Sequence, residues 1–360
     1  MNPQLIVIGS GVAGLGPAWL LARAGVSTLV IERHHPGFGA STAAAGMLAP
    51  TAEVQFQEHN LLALGQESLN RYPEFVADLE ASSGLKVDYR DEGTLVIGMD
   101  RDDAEALQRL MAYQAALGLD VRWLSGDEAR ELEPALSPNV HSAVRCAADH
   151  QVDPRLLIPA LEAAYLRAGG ALRCGEGVAQ IIIRDGRAHG VILDSGEQIE
   201  AAHVLVAAGA WTRKLTGLAP HKPPHIRPVL GQMLSVELGD PPLIRHVIRS
   251  PDAYLVPKSD GRLIIGATME ERGFDTRQRM GSLMDLMVGA WEAVPALHEQ
   301  PIIETWTGHR PISLTNEPLL GPDPHLAALS WSVGHGRNGI LLTPITAHTL
   351  HTSILAALQP

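Results

Sequence analysis

The hydrophobic pattern at the start of the chain predicts a strand, a helix and a second strand in close succession. Residues Leu5–Ile8 form an uninterrupted apolar run, which is typical of a buried strand. An apolar helical segment then runs through Trp19–Ala22 and ends at Gly25. A second apolar run, Thr28–Ile31, leads directly to Glu32. A strand–helix–strand unit of about thirty residues is what a dinucleotide-binding fold requires.

The rest of the chain alternates between helical and strand patterns. Helices are predicted over residues 58–84, 102–119 and 280–291, with a further one that Asp153-Pro154 opens. Strands are predicted over 181–183, 190–193, 204–206, 232–236, 254–257, 263–267 and 330–333, and as a pair joined by a turn over 86–98. Between Pro220 and Pro318 the strand pattern is that of an antiparallel sheet, which indicates a substrate domain inserted into the nucleotide-binding domain.

A chain of 360 residues is long enough for two domains, and no flexible linker separates them. We therefore expect an α/β fold in which a Rossmann-like nucleotide-binding domain is interleaved with an α+β substrate domain built on an antiparallel sheet. The expected boundaries are 1–52, 142–216 and 316–360 for the nucleotide-binding domain, and 53–141 and 217–315 for the substrate domain.

The charge and cysteine content narrow the function. The chain has 28 Lys and Arg against 40 Asp and Glu, a net charge of −12, which argues against nucleic acid as the main partner. No apolar stretch reaches the length of a membrane span, and no basic residues precede the first apolar run as they would in a signal peptide. Cys146 and Cys174 have no CxxC spacing, so we expect reduced thiols in a cytoplasmic protein, and no metal site.

A glycine motif follows the first predicted strand. Gly9 permits a tight turn, Gly11 lets the backbone approach a pyrophosphate, and Gly14 allows close packing of helix on strand. The helix N-terminus offers free N–H groups to the phosphates, and Glu32 can accept a ribose hydroxyl. This motif predicts a dinucleotide cofactor, which the motif alone leaves open as FAD or NAD.

A second GxGxxG match, Gly334–Gly339, lacks the strand and the acid that should follow it. A second dinucleotide site therefore does not fit, and a reductase that binds both FAD and NADPH is disfavoured. We expect these glycines to bring the backbone close to the ligand that the first motif binds.

Several segments together resemble the D-amino acid oxidase superfamily of flavoproteins, and within it the glycine oxidases. Besides the opening motif they are 43–48 (AAAGML), 204–209 (VLVAAG), 254–257 (YLVP), 266–269 (GATM), 308–311 (GHRP) and 337–341 (RNGIL). They occur in the family's order along nearly the whole chain. The resemblance implies FAD as the cofactor. The family's covalent flavin attachment uses a cysteine in the C-terminal third, and no cysteine follows Cys174, so we expect noncovalent FAD.

The resemblance also implies which residues contact FAD. They are Gly9, Gly11, Val12, Ala13 and Gly14 at the pyrophosphate turn, Glu32 and Arg33 at the adenosine ribose, Ala40, Ser41, Ala45, Gly46 and Met47 from the pyrophosphate to the flavin, Val178 at the adenine, and His335, Gly336, Arg337, Asn338, Gly339, Ile340 and Leu341 under the pyrimidine edge of the flavin. A helix N-terminus in this last segment would stabilise negative charge on the reduced ring.

At the substrate end, Arg310 matches the family's carboxylate-binding arginine, and a guanidinium can bind a carboxylate through two parallel hydrogen bonds. We expect Tyr254 to add a hydrogen bond and Met269 to form a wall that favours a small side chain. Arg337 ranks below Arg310, as a second carboxylate ligand or as an anchor of its loop. His309 is not taken as a general base, because hydride transfer from a neutral amine needs mainly orientation.

The resulting hypothesis is FAD-dependent oxidative deamination of glycine, and of sarcosine or D-alanine, to the 2-oxo acid, ammonia and hydrogen peroxide. The resemblance implies a homotetramer and a role in supplying the imine for thiamine thiazole biosynthesis. Three alternatives stay open: a sarcosine or D-amino acid oxidase or dehydrogenase, a flavin subunit that passes electrons to a protein partner rather than to dioxygen, and an NAD-dependent dehydrogenase.

Overall fold

The structure is a computed structural model that describes residues 2–359. The opening unit forms as predicted, as β1 (Leu5–Ile8), α1 (Val12–Arg23) and β2 (Thr28–Glu32). The later helices are α2 (Ala40–Ala43), α3 (His59–Ser83), α4 (Arg101–Ala116), α5 (Gly126–Leu132), α6 (Pro154–Arg167), α7 (Met280–Ala293) and α8 (Thr343–Leu358). The later strands are β3 (Met47–Leu48), β4 (Thr94–Gly98), β5 (Val121–Ser125), β6 (Ser142–Cys146), β7 (His150–Gln151), β8 (Ala171–Cys174), β9 (Val178–Arg184), β10 (Arg187–Leu193), β11 (Gln198–Glu200), β12 (His203–Val206), β13 (Arg227–Glu237), β14 (Val247–Arg249), β15 (Tyr254–Pro257), β16 (Arg262–Gly266), β17 (Ile302–Ile312), β18 (Leu319–Pro322) and β19 (Leu329–Val333).

The first sheet has the strand order β18-β19-β12-β1-β2-β8 and is parallel except for β18. Its central strand β1 is buried on both faces. Leu5 and Val7 pack with Trp19 of α1 in one core, whereas Ile6 and Ile8 belong to a second core under the β9–β11 sheet. Burial on both faces explains why β1 is continuously apolar rather than alternating.

The second sheet has the order β17-β13-β16-β15-β14-β4-β6-β5 and is antiparallel except between β14 and β4. Helix α7 covers one face, where Leu286 and Ala290 pack with Leu234 and Leu255. Strands β13 and β17 pair along almost their whole length, from Arg227 opposite Ile312 to Val236 opposite Ile302. This pairing positions the residues of β17 over the cleft described below.

One strand was not predicted, and two local expectations were wrong. Strand β17 was not predicted, because its sequence contains Gly308 and Pro311 and lacks apolar alternation; it forms because β13 supplies a continuous partner. Of the two strands expected over 86–98 only β4 forms, since the preceding residues make just one bridge, from Arg90 to Gln151. The helix N-terminus expected within 335–341 lies further on: Gly336–Asn338 is a single 3-10 turn, and α8 begins at Thr343.

The chain passes between the two sheets more than once, as the interleaved pattern predicted. Strand β6 pairs with β4 and β5 in the antiparallel sheet although it begins at residue 142, where the nucleotide-binding segment was expected to resume. The expected boundary at residue 142 thus falls inside the antiparallel sheet, and the detailed domain boundaries stay a prediction.

Over residues 2–359, none of the helices is both long enough and apolar enough to cross a membrane.

Candidate active site

A cleft of about 420 Å³ lies between the two sheets and extends from the glycine turn after β1 to strands β15 and β17. Most of the predicted site residues line it: Gly9, Gly11, Val12, Ala13, Glu32, Arg33, Ala40, Ser41, Ala45, Gly46, Met47, Val178, Tyr254, Met269, Arg310, His335, Gly336, Arg337, Gly339 and Ile340. The fold thus brings residues from both ends of the chain to one elongated cavity.

Three predicted residues lie behind the cleft wall. A Cβ atom on Gly14 would lie 2.1 Å from the Gly9 carbonyl oxygen, so Gly14 serves the close packing expected of the third motif glycine. Asn338 is buried, and its backbone N–H donates to the His335 oxygen at 3.0 Å. The Leu341 carbonyl oxygen accepts a hydrogen bond from Ser68 at 2.7 Å. These residues shape the walls from behind rather than facing the cavity.

The glycine turn has the geometry of a phosphate cradle. Gly9 has a φ of +103°, and a Cβ atom there would lie 2.6 Å from the Ala207 oxygen, so only glycine fits without strain. Helix α1 begins after Gly11 with no side-chain cap. The Val12 N–H donates to the Ser41 hydroxyl at 3.2 Å and the Gly14 N–H to the Gly11 oxygen at 2.9 Å. The Ala13 N–H and the positive end of the helix dipole therefore stay available to an anion in the cleft.

Glu32 is fixed at the same end of the cleft. One carboxylate oxygen accepts hydrogen bonds from the backbone N–H and the hydroxyl of Ser10, at 3.0 and 2.8 Å, and the other accepts from the His34 N–H at 3.0 Å. Each carboxylate oxygen has two lone pairs, so this arrangement leaves capacity to accept a ribose hydroxyl.

A second tight turn forms the middle of the cleft, at Gly46 just before β3. Gly46 has a φ of +89°, and a Cβ atom would lie 1.8 Å from the Val152 oxygen. Strand β3 pairs with β7 through Met47 opposite Gln151. Glycine at this position lets Ala45 and Met47 lie on the cavity surface while the backbone stays in contact with Val152.

Arg310 projects from β17 at the far end of the cleft. Its Nη1 donates to the Thr268 oxygen at 2.8 Å, and its guanidinium lies over Gly231 of β13, where a Cβ atom would come within 2.7 Å of Nη1. Among residues 2–359 no carboxylate forms an ion pair with Arg310. The cleft thus contains a partly buried guanidinium with donors left for an anionic ligand.

Tyr254 lies beside Arg310. Its ring occupies the space over Gly266, where a Cβ atom would come within 2.6 Å of the Tyr254 hydroxyl. Burial raises the pKa of Tyr254, and the nearby charge of Arg310 opposes that rise only in part. The hydroxyl therefore stays protonated at neutral pH and can donate a hydrogen bond.

The other cleft arginines are already paired. Arg337 forms an ion pair with Glu58 and donates to the Glu53 backbone oxygen at 3.2 Å, so it ties the 335–341 loop to the segment before α3. Arg249 of β14 pairs with the Glu53 side chain inside the cleft. No sequence motif pointed to Glu53 or Arg249, because the two residues lie far apart in the chain.

Two further side chains have surroundings that were not expected. Met269 is 70% exposed and lies at the mouth of the cleft rather than forming a closed wall. His309 is buried against Trp211 and Phe274, and its Nε2 has no hydrogen-bond partner in the described part of the chain. Burial lowers the pKa of His309, which keeps the ring neutral. Trp211 also lines the cleft, and it comes two residues after the segment 204–209 that resembles the family.

The cleft residues fit an FAD molecule. The cavity is elongated; the glycine turn and α1 N-terminus suit a pyrophosphate, Glu32 suits a ribose, and backbone at Gly46 and at 335–340 lines the remaining length. The unpaired Arg310 then lies at the end opposite Glu32.

Comparisons with known proteins agree with this geometry. Residues 4–351 match the family described as DAO, FAD dependent oxidoreductase. The chain is 32% identical over 344 residues to a glycine oxidase of Geobacillus kaustophilus, covering 95% of this chain and 90% of that protein. It is 34% identical over 351 residues to the bifunctional protein ThiO/ThiG of Trichormus variabilis, covering 96% of this chain but 52% of that protein, so it spans about half the length of this relative. The crystal structure of glycine oxidase from Bacillus cereus has a TM-score of 0.92 and 30% identity, covering 99% of this chain and 95% of that one.

These matches confirm the predicted resemblance and the predicted fold class. They also confirm FAD as the cofactor and the assignment of the chain as an FAD-dependent enzyme of the amino acid oxidase type. The roles of single residues rest on the geometry above and stay predictions.

Proposed function

This chain belongs to the FAD dependent oxidoreductase family, and from that membership and the geometry of its cleft we propose that it oxidises glycine. The observation that supports this most directly is the Arg310 guanidinium, which lies at one end of the cleft with no carboxylate partner among the described residues. An amino acid brings the carboxylate that such a group binds.

The proposed overall reaction converts glycine, dioxygen and water to glyoxylate, ammonia and hydrogen peroxide. Held by the cleft residues, FAD would supply the two-electron oxidation of the substrate Cα–N bond to an imine, with dioxygen as the final electron acceptor and hydrogen peroxide as its product. The substrate is left as an imine, and water hydrolyses it to glyoxylate and ammonia.

In this proposal Arg310 orients the substrate through two hydrogen bonds to its carboxylate. The bond from Nη1 to the Thr268 oxygen and the contact with Gly231 hold the guanidinium plane in one orientation. A fixed carboxylate in turn restricts where the Cα–H bond can lie, and such orientation supplies much of the rate enhancement in a reaction that needs no general base from the protein.

We assign Tyr254 as the second donor to the carboxylate. Its hydroxyl is protonated at neutral pH, as a tyrosine ordinarily is, and burial raises its pKa further; it lies 3.9 Å from the Met233 sulfur. Tyr254 and Met233, rather than the exposed Met269, then limit the size of the substrate side chain. This limit favours glycine over amino acids with long side chains.

The same cleft residues are proposed to hold FAD without a covalent bond. Cys146 is buried within the antiparallel sheet, and Cys174 lies exposed at the end of β8, outside the cleft. Acid precipitation should release all the flavin into the supernatant.

Three further expectations stay predictions: the homotetramer, the cytoplasmic location, and the role in thiamine biosynthesis.

The decisive experiment combines a visible spectrum with a peroxide assay on the purified protein. We expect a flavin spectrum and peroxide from glycine, with lower kcat/KM for sarcosine, D-alanine and L-alanine. Faster turnover of sarcosine or D-alanine would instead assign the protein to that alternative. Flavin reduction by glycine without peroxide in air would indicate a protein electron acceptor. A colourless protein that cannot take up FAD would overturn the proposal and reopen the NAD alternative.

A further inference from the structure

Lys258, directly after β15, is buried outside the cleft and has no part in the reaction proposed above. Its exposed fraction is 1%, which is unusual for a lysine because a buried ammonium must be hydrogen-bonded to be tolerated. Its Nζ donates to the Gln151 side-chain oxygen at 3.2 Å and to the Val152 backbone oxygen at 3.0 Å. Both acceptors lie at the β7 strand end, across the junction between the two sheets.

These two acceptors are also the residues that hold the middle of the cofactor cleft. Gln151 is the strand partner of Met47. The Val152 N–H donates to the Gly46 oxygen at 2.9 Å, and the Val152 oxygen lies where a side chain on Gly46 would have to be. Only one residue therefore separates the Lys258 ammonium from the Gly46–Met47 turn, which lines the cleft.

Other charged groups surround this ammonium. Asp153, buried at the start of α6, and Asp88 favour its charged form, whereas Arg262 of β16 and Arg90 disfavour it. Asp153 is paired with Arg262 at 2.5 Å, and Arg90 is paired with Glu92 at 2.8 Å. These neighbouring charges are therefore already balanced by partners other than Lys258. Burial is the largest influence and lowers the pKa of Lys258 to about 8.

We propose that Lys258 is a positioning residue for FAD: from the antiparallel sheet, its ammonium fixes Gln151 and Val152, and through them the Gly46–Met47 turn against the cofactor. The FAD affinity then depends on a residue that does not touch FAD. This inference requires FAD in the cleft but is independent of which amine is the substrate.

The test measures the dissociation constant of FAD by its release from the diluted holoenzyme, followed by flavin fluorescence. Lys258→Met keeps the length and apolar stem but removes the donors, so we expect FAD to bind at least tenfold more weakly, because both hydrogen bonds from the charged donor are lost. Lys258→Arg should restore most of the affinity. Lys86→Met, at an exposed lysine, is the matched control and should leave the affinity unchanged.

The pH dependence separates positioning from general packing. In the wild type, FAD should bind more weakly as the pH rises from 7 to 9.5, because the neutral amine holds the two acceptors less tightly than the ammonium does. In Lys258→Arg the affinity should not follow that curve, since a guanidinium stays charged over this range. This comparison remains informative even if Lys258→Met does not fold. Parallel pH curves for the two proteins, or wild-type affinity in a folded Lys258→Met, would overturn the inference.

Discussion

The two ends of the cleft are built in different ways. At the Glu32 end the groups that we propose to bind FAD are mainly backbone atoms and glycines from one continuous unit, β1–α1–β2. At the Arg310 end they are side chains from β13, β15 and β17, which come together only when the antiparallel sheet forms. A site built from backbone atoms can be recognised as a local sequence motif, and its glycines tolerate no added side chain. A site built from side chains on several strands depends on how those strands pair.

The arginines of the cleft sharpen this contrast. Arg310, Arg249 and Arg337 all face the same cavity, but only Arg310 lacks a carboxylate partner within residues 2–359. A guanidinium that is already neutralised by a carboxylate attracts a substrate carboxylate less strongly than one without such a partner. We therefore propose Arg310 as the group that binds the carboxylate and Arg337 as an anchor of its loop.

The largest effect is expected for Arg310→Ala. Truncating one partner of a partly buried, hydrogen-bonded charge pair costs about 2–5 kcal/mol. We expect a cost in the upper part of this range, about 2.8 kcal/mol or more, so kcat/KM for glycine should fall by roughly 100-fold or more. The flavin spectrum and the thermal unfolding temperature should stay close to wild type, since Arg310 forms no ion pair with any group of residues 2–359. A fall of less than threefold would remove Arg310 from substrate binding.

Gly46→Ala should break the backbone-built part of the cleft. The added methyl would lie 1.8 Å from the Val152 oxygen, at a φ of +89°, so the turn must shift and FAD binding should weaken by about 10–100-fold, on the order of 1.4–2.8 kcal/mol. Gly281→Ala is the control, since nothing lies within 4 Å of a Cβ atom there. Fluorescence of released FAD measures both variants; equal affinities would show that the turn does not need glycine.

Tyr254→Phe should have a smaller effect on the substrate end. Loss of one hydrogen bond to a carboxylate should raise KM for glycine by about tenfold, close to 1.4 kcal/mol, with FAD retained. Steady-state kinetics with glycine checks this value. A KM unchanged from wild type would mean that the Tyr254 hydroxyl does not bind the substrate.

The smallest effect is expected for Arg337→Met. It breaks the pair with Glu58, which should lower the unfolding temperature by about 1–2 °C and change kcat/KM for glycine by less than about fivefold, as for other partly exposed ion pairs. Differential scanning fluorimetry and kinetics measure the two quantities. A loss of activity as large as that of Arg310→Ala would show that both arginines bind the carboxylate and would erase the contrast between them.

The difference between the two ends also explains what sequence reasoning could predict. The glycine turn, β1, β2 and the Asp153-Pro154 helix start follow from local patterns, and all form where expected. Strand β17, which carries Arg310, was missed because its stability comes from pairing with β13 rather than from its own sequence.

The ion pairs of the site could not be predicted from the sequence for a related reason. Glu53 lies far from Arg249 in the chain, and the two meet only through the packing of the antiparallel sheet. Met269 and His309 were identified as residues of interest, yet their exposure and surroundings depend on the same packing. The resemblance to a family supplied Arg310 and Tyr254, which no local pattern distinguishes from ordinary strand residues.

The most direct test of the account is the rate at which glycine bleaches the flavin absorbance without oxygen, in the wild type and in Arg310→Ala. We predict rapid bleaching in the wild type that saturates with glycine, and at least 100-fold slower bleaching in a variant that still contains FAD. This result would place carboxylate binding by Arg310 in the reductive half of the reaction. Equal rates in the two proteins, or a wild-type flavin that glycine does not bleach, would contradict the account.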